Sequence, residues 1–284
     1  MLPKIMEIAR AAGGKILEIY EKEDFEISVK DDTSPVTKAD LAANGIITRA
    51  LKQASSIPVV SEESFEYSDF EYASRKNWGR FWLVDPLDGT KDFIARNGQF
   101  TVNIALIYGD APVLGVIYIP VSGDMYWAEL GSGAYMYRGR GAGNPPPVEN
   151  YQRIYNSSKR TGTDLIASDS VFHSSKETKD FLEKNNITRI RRFGSSLKYC
   201  RLAEGEIDIY PRFNGSKEWD TAAGQIIIHE AGCKIIDLNT KQNLNYNKPD
   251  IRNNFFIAMR GDLELDYESY HISGGTGNAP APFN

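Results

Sequence analysis

Residues 82–93 read WLVDPLDGTKDF, and within them Asp85, Asp88, Gly89 and Thr90 are the residue types best suited to chemistry. Phe81 to Val84 form an apolar run with the character of a short buried strand, and Pro86 is expected to end regular pairing there. Two carboxylates at the end of a buried strand are costly unless something positive lies between them. A hard divalent cation, which prefers oxygen ligands, is the simplest such partner. Gly89 lets the backbone approach a ligand closely, and its N–H and that of Thr90 can face an anion. A cation beside an anion-binding backbone points toward phosphate chemistry. Asp-Pro and Asp-Gly are also ordinary turn signals, so DPLDG alone reads equally well as a turn.

Three further places supply acids at element ends. Glu62 and Glu63 follow the run Ile57 to Val60, Asp220 opens a helix in KEWDTAAG, and Asp40 lies in SPVTKAD. Each has a plainer reading: solvated loop charges for Glu62 and Glu63, a helix N-cap for Asp220, and a Thr-x-x-Asp capping box for Thr37 and Asp40. Spacing in sequence does not bring these acids together in space. It does exclude one chemistry. The haloacid-dehalogenase phosphatases use Asp-x-Asp-x-Thr, whereas Asp85 and Asp88 are three apart with Pro86 between them. That spacing does not fit a phospho-aspartyl enzyme.

The elements that must position these residues are partly visible. Ile5, Ile8, Ala12, Ile16 and Ile19 recur at helical spacing, and a second helix is expected from Lys38 to Gln53. GQFTVNIALIYG and APVLGVIYIP form a hairpin at Gly109-Asp110, and DMYWAEL and GAYMYRG another across Gly131 to Gly133. The Gly/Pro-rich stretch 139–150 is the best boundary candidate, dividing a subdomain 1–145 from a subdomain 146–270. Beyond it, strands are expected at Leu165–Ala167, Arg189–Phe193, Ile207–Pro211, Cys233–Asp237 and Phe255–Met259. Helices are expected at Lys176–Lys184, after Gly194-Ser195, and from Asp220 to Glu230. Residues 271–284, rich in Gly, Pro and Asn, read as a flexible tail. The pattern is α+β followed by α/β, with sheets between helical layers.

At 284 residues the chain holds one large domain or two modest ones. A net charge of −5 gives no broad basic surface for nucleic acid or anionic lipid. Cys200 and Cys233 form neither a disulfide framework nor a zinc pattern, which suggests a reducing compartment. No apolar run approaches transmembrane length, and no secretory signal pattern opens the chain, so the cytoplasm is the default location. Oligomeric state, monomer or homodimer, is left open.

SEES, WLVDPLDGT and EWDTAAG together resemble the inositol monophosphatase superfamily of magnesium-dependent, lithium-sensitive phosphatases. GSSLKYCRLAEGEIDIYPRF followed by EWDTAAGQIIIHEAG narrows this to the family's bacterial 3′(2′),5′-bisphosphate nucleotidase branch, which serves sulfate assimilation. The resemblance covers most of the chain, to about Arg260. It implies a layered αβαβα sandwich with the metal site between two subdomains. It also implies two or three Mg²⁺ ions held by Glu62, Asp85, the Leu87 carbonyl, Asp88 and Asp220. Glu63 is the alternative to Glu62. Thr90 and Asp40 match residues that orient the attacking water, so Glu62, Thr90 and Asp40 are the catalytic candidates. The expected substrate contacts are Leu87, Asp88, Gly89, Thr90, Asp220 and, near the nucleotide, Ser195, Ser196 and Lys198. Helix capping is the plainer role for Ser195.

The implied reaction is direct displacement by water. It removes the 3′-phosphate of adenosine 3′,5′-bisphosphate, or of its sulfated precursor, without a covalent intermediate. Peripheral association with the inner face of the cell membrane rests on the resemblance alone. His173 and His229 are left for surface roles. The chain departs from the family pattern where Ser-Arg-Ser-His is replaced by SDSVFH (168–173) and Gly-Pro-Thr by NGSK (214–217). Both departures lie on the substrate side, so an inositol or sugar phosphate phosphatase is the sibling reading. A metal-dependent phosphometabolite-binding protein without turnover is the reading from another class.

Overall fold

A computed structural model describes residues 1–22, 26–29, 35–66, 68–139, 151–172 and 174–267. Most of the proposed boundary segment (140–150), His173 and the tail 271–284 lie outside the described residues. The helices are α1 (Leu2–Lys22), α2 (Lys38–Ala54), α3 (Asp69–Arg75), α4 (Thr90–Ile94), α5 (Lys176–Lys184), α6 (Leu197–Ala203) and α7 (Glu218–Glu230). The first nine strands are β1 (Ser28–Val29), β2 (Pro35–Val36), β3 (Val59–Ser61), β4 (Arg80–Asp88), β5 (Thr101–Tyr108), β6 (Ala111–Ile119), β7 (Asp124–Glu129), β8 (Gly133–Tyr137) and β9 (Gln152–Ile154). They are followed by β10 (Ile166–Ser170), β11 (Arg189–Phe193), β12 (Ile209–Arg212), β13 (Cys233–Asp237) and β14 (Phe256–Arg260).

Strands β3 to β9 lie in sequence order in one seven-stranded sheet, and β11-β10-β12-β14-β13 form a second sheet. Alternation along β6 shows how the first sheet is buried on both faces. Leu114, Val116 and Tyr118 join α1 and α2 in one apolar cluster, whereas Ile117 and Ile119 join α6, α7 and the second sheet in another. A third cluster covers the far face of the second sheet with Phe181 and Leu182 of α5. The result is five layers, helix–sheet–helix–sheet–helix, as expected. Double-sided burial explains why β5 and β6 read as continuous apolar runs rather than alternating ones. The first sheet takes β9 from beyond residue 150, so the change of sheet falls C-terminal to the Gly/Pro-rich segment that the sequence offers as a boundary.

Helix α7 rests against β6 at Gly115. A Cβ there would meet Ile226 Cγ2 at 2.5 Å and the Ala223 carbonyl oxygen at 2.8 Å. Gly115→Ala is therefore expected to destabilise the protein by about 2 kcal/mol or more, because α7 backbone, not a flexible side-chain end, must move. Urea or thermal melts check this, and an unchanged midpoint would contradict the close packing.

Two local expectations need correction. Pro86 does not end β4. The strand runs on to Asp88, with Asp85 opposite Asn103 and Asp88 opposite Thr101, and the register shifts between them. On its other edge β4 pairs with β3 only as far as Val84. Pro86 thus sits in a bulge beyond β3, where its missing N–H leaves no ladder bond unmade. Asp220 is not an N-cap. Helix α7 begins at Glu218, and Asp220, its third residue, accepts a hydrogen bond from the Lys217 backbone N–H at 2.8 Å.

Candidate metal and phosphate site

The bulge in β4 delivers Asp85, Leu87 and Asp88 to the edge of the first sheet, and α4 starts directly behind them. Gly89, at φ +91°, makes the junction. A side chain there would be strained, and a Cβ would stand 3.0 Å from Ser195 Cβ and 3.1 Å from the Gln99 carbonyl oxygen. Residues from both sheets then close a cavity of about 320 Å³. Glu62, Asp85, Leu87, Asp88, Gly89, Thr90, Ser195, Ser196, Lys198 and Asp220 all line it, which brings together every sequence candidate except Asp40 and Glu63.

Asp40 acts from behind. Its Oδ2 accepts from the Thr37 N–H at 2.8 Å and from Thr37 Oγ1 at 2.5 Å. Its Oδ1 faces Thr90 Oγ1 at 3.2 Å. The capping box thus forms on one carboxylate oxygen of Asp40, and the other meets Thr90.

The acids share one electrostatic field. Burial first, then Glu62, Asp88, Asp220 and Glu63, push the Asp85 carboxyl well above its ordinary value. Burial, Asp88 and Glu62 push Asp220 up to about 7 against the pull of the Lys217 N–H and Arg212. Glu62 acts on Asp85 more strongly than Glu63 does, and Glu62 lines the cavity. Among the described residues no three His, Cys, Asp or Glu side chains are already drawn into a finished ion cage. The carboxylates face one another across the cavity and repel.

Ser195 and Ser196 have a role that the sequence did not reveal. Neither caps α6 through its side chain. Ser195 Oγ and Ser196 Oγ donate to Asp88 Oδ2 at 2.7 and 2.8 Å. Asn103 Nδ2 reaches Ser196 Oγ at 2.9 Å and Asp88 Oδ2 at 3.4 Å, and Thr101 Oγ1 lies 2.7 Å from Ser195 Oγ. Asn103 and Thr101 were missed. Their signal was two polar residues inside the apolar run TVNIALIY, both fully buried.

Two cations stand beside the acids. Lys198, 4% exposed, donates to the carbonyls of Phe193 (3.1 Å) and Ser195 (2.7 Å). Burial, then Arg212, lowers its pKa to about 8. Arg212, which lines the cavity, was also missed. Its Nη2 donates to the Gly215 carbonyl at 2.9 Å, while its buried Nε has no hydrogen-bond partner among the described residues. His229 lies on the surface, as expected, with its side chain 56% exposed.

A sequence profile of the inositol monophosphatase family matches residues 1–267. The chain belongs to the inositol monophosphatase family. Among its relatives, a 3′(2′),5′-bisphosphate nucleotidase CysQ of Buchnera aphidicola is 42% identical over 248 residues, 87% of this chain and 87% of that protein. The Salmonella typhimurium protein of the same name is 40% identical over 243 residues, 85% and 92% of the two chains. In structure the chain is similar to CysQ from Bacteroides thetaiotaomicron, a bacterial member of the family. That match has a TM-score of 0.79 and 40% identity, covering 92% of this chain and 97% of the other. Among the described residues of this family member, no helix is long and apolar enough to cross a membrane.

Proposed function

We propose that the protein is a Mg²⁺-dependent 3′(2′),5′-bisphosphate nucleotidase. It removes the 3′-phosphate of adenosine 3′,5′-bisphosphate to give AMP and phosphate, with the sulfated precursor as a further substrate in sulfate assimilation. The observation that carries this reading is the joining of Glu62, Asp85, Asp88 and Asp220 with Lys198 and Arg212 in one cavity. Relatives named for that activity, at 40% identity and above over most of the chain, support it.

The residues fit a hard divalent cation. The available donors are all oxygens, and the burial and mutual repulsion that raise Asp85 and Asp220 call for positive charge among them. Glu62, Asp85, Asp88, Asp220 and the Leu87 carbonyl would hold it. When bound, Mg²⁺ makes water acidic enough to attack and offsets charge on the phosphate and the leaving oxygen. The protein supplies orientation. Thr90 gives its single proton to Asp40 Oδ1, so its oxygen lone pairs are left to accept from the attacking water. Glu62 faces the same cavity and steadies that water. The N–H groups of Gly89 and Thr90, where α4 begins, receive the phosphate oxygens. The water oxygen bonds to phosphorus as the bond to O3′ breaks, and the departing O3′ takes up a proton.

Lys198 and Arg212 are placed to meet a second phosphate, which inositol 1-phosphate lacks. Phosphate release from adenosine 3′,5′-bisphosphate and from inositol 1-phosphate, measured side by side with Mg²⁺, tests the reading. The nucleotide is expected to be strongly preferred in kcat/KM. Faster release from inositol 1-phosphate would leave the metal site standing and remove the nucleotide. Absence of turnover on both would support the binding-protein reading. Because Lys198 loses its proton near pH 8, KM for the nucleotide is expected to rise above that pH. Lys198→Arg, which keeps its charge, should flatten that rise, and the pH dependence of KM is the measurement.

A further inference from the structure

The donors gathered on Asp88 all fall on one of its two carboxylate oxygens. Ser195 Oγ (2.7 Å), Ser196 Oγ (2.8 Å) and Asn103 Nδ2 (3.4 Å) all point at one oxygen, Oδ2. Thr101 Oγ1 lies behind two of these three donors, 2.7 Å from Ser195 Oγ and 2.9 Å from Asn103 Oδ1, and its single proton serves one of them at a time. Every donor is neutral. A Lys or Arg at this place would orient Asp88 equally well but cancel the charge that a cation requires. Neutral donors fix the carboxylate and leave its charge in place.

The backbone is shaped to make this contact. Ser195 sits at φ +51°, a left-handed conformation that is uncommon for serine. That conformation brings its Cβ against Gly89, the residue next to Asp88. Asn103 and Thr101 come from β5, directly opposite Asp85 and Asp88 in the register. Strain at Ser195 and two buried polar side chains in an apolar strand both serve one oxygen atom.

We propose that Asn103, Ser195 and Ser196 are positioning residues that occupy Asp88 Oδ2 and so present Oδ1 as the single oxygen offered to the cation, with Thr101 bracing Asn103 and Ser195. The proposal rests on the reading of Asp88 as a metal ligand. Groups that orient a ligand in this way typically govern metal affinity by about 10- to 100-fold.

The test is calorimetric titration of Mn²⁺ into the metal-free protein, compared with its melting temperature. Ser195→Gly removes the hydroxyl and also relieves the left-handed strain. It is expected to weaken Mn²⁺ binding roughly tenfold without lowering the melting temperature, a split that a merely structural serine would not produce. Ser196→Ala and Asn103→Ala are expected to weaken binding similarly, and Thr101→Ser, which keeps the hydroxyl, to restore nearly full affinity relative to Thr101→Val. Mn²⁺ affinities of Ser195→Gly and Ser196→Ala within twofold of the unsubstituted protein, when Asp88→Asn has lost binding, would overturn the proposal. Undiminished binding by Asp88→Asn would instead remove Asp88 as a ligand and, with it, the basis of the proposal.

Discussion

Asp220→Asn is expected to lower phosphate release by roughly 10³-fold or more, because a ligand carboxylate supplies several kcal/mol of charge stabilisation in the transition state. The same substitution is expected to raise the melting temperature of the metal-free protein. The two effects have one cause. Without a cation, Asp220 is a disfavoured charge: burial, Asp88 and Glu62 all oppose its ionisation. Asparagine removes that charge and keeps an oxygen for the Lys217 N–H, which Asp220 accepts at 2.8 Å, so the start of α7 is preserved. Adding Mg²⁺ should reverse the order, because binding stabilises only the protein with its full ligand set. Melting curves with EDTA and with Mg²⁺, beside a phosphate-release assay, check both halves. A metal-free variant less stable than the unsubstituted protein would show that Asp220 is structural first. A variant with near-normal turnover would remove it from the site.

The fold was largely legible because its signals are local. The stripe Ile5, Ile8, Ala12, Ile16 and Ile19 maps onto the buried face of α1, and both Gly-marked hairpins form where expected. Strand β4 was misjudged because Pro86 is a local stop signal, and its tolerance depends on β3 ending at Val84, which is a tertiary fact. In the site, Asp85, Asp88, Gly89 and Thr90 were legible as a contiguous motif. Glu62 and Asp220 came from a resemblance, since spacing says nothing about convergence. Ser195 and Ser196 were candidates for nucleotide contact and line the cavity, but they were not foreseen as partners of Asp88, because that contact spans more than a hundred positions of sequence. Asn103 and Arg212 went unseen for a related reason. A lone polar residue in an apolar strand has many plain explanations until its partner is in view.

The stability of the metal-free protein is expected to fall as pH rises from 5 to 7 and to level off above that. Folding holds a proton on Asp220 up to about pH 7, whereas the ordinary carboxyl value is 3.8. Between those values the folded state binds more protons than the unfolded state, so stability decreases as pH increases. Asp85 is shifted in the same direction and adds to the trend. Asp220 opens on the cavity, so solvent there trims the effect, which we put at about 2 kcal/mol over this window. Asp92, raised chiefly by its burial, acts in the same direction, whereas the groups that follow act elsewhere on the scale. Asp250 and Asp262, held below the usual carboxylate range by Arg252 and Arg260, lose their contribution only at more acidic pH. Lys198, depressed to about 8, changes its balance only above the window. Saturating Mg²⁺ should invert the slope, since the ion competes with those protons and is held better as pH rises. Urea unfolding from pH 5 to 8, with EDTA or Mg²⁺ and with Asp220→Asn alongside, is the measurement. A flat or rising metal-free profile would mean that the acids are not crowded enough to require a cation. A falling profile that Asp220→Asn flattens and Mg²⁺ inverts would tie the fold's main electrostatic strain to the site that proposes its function.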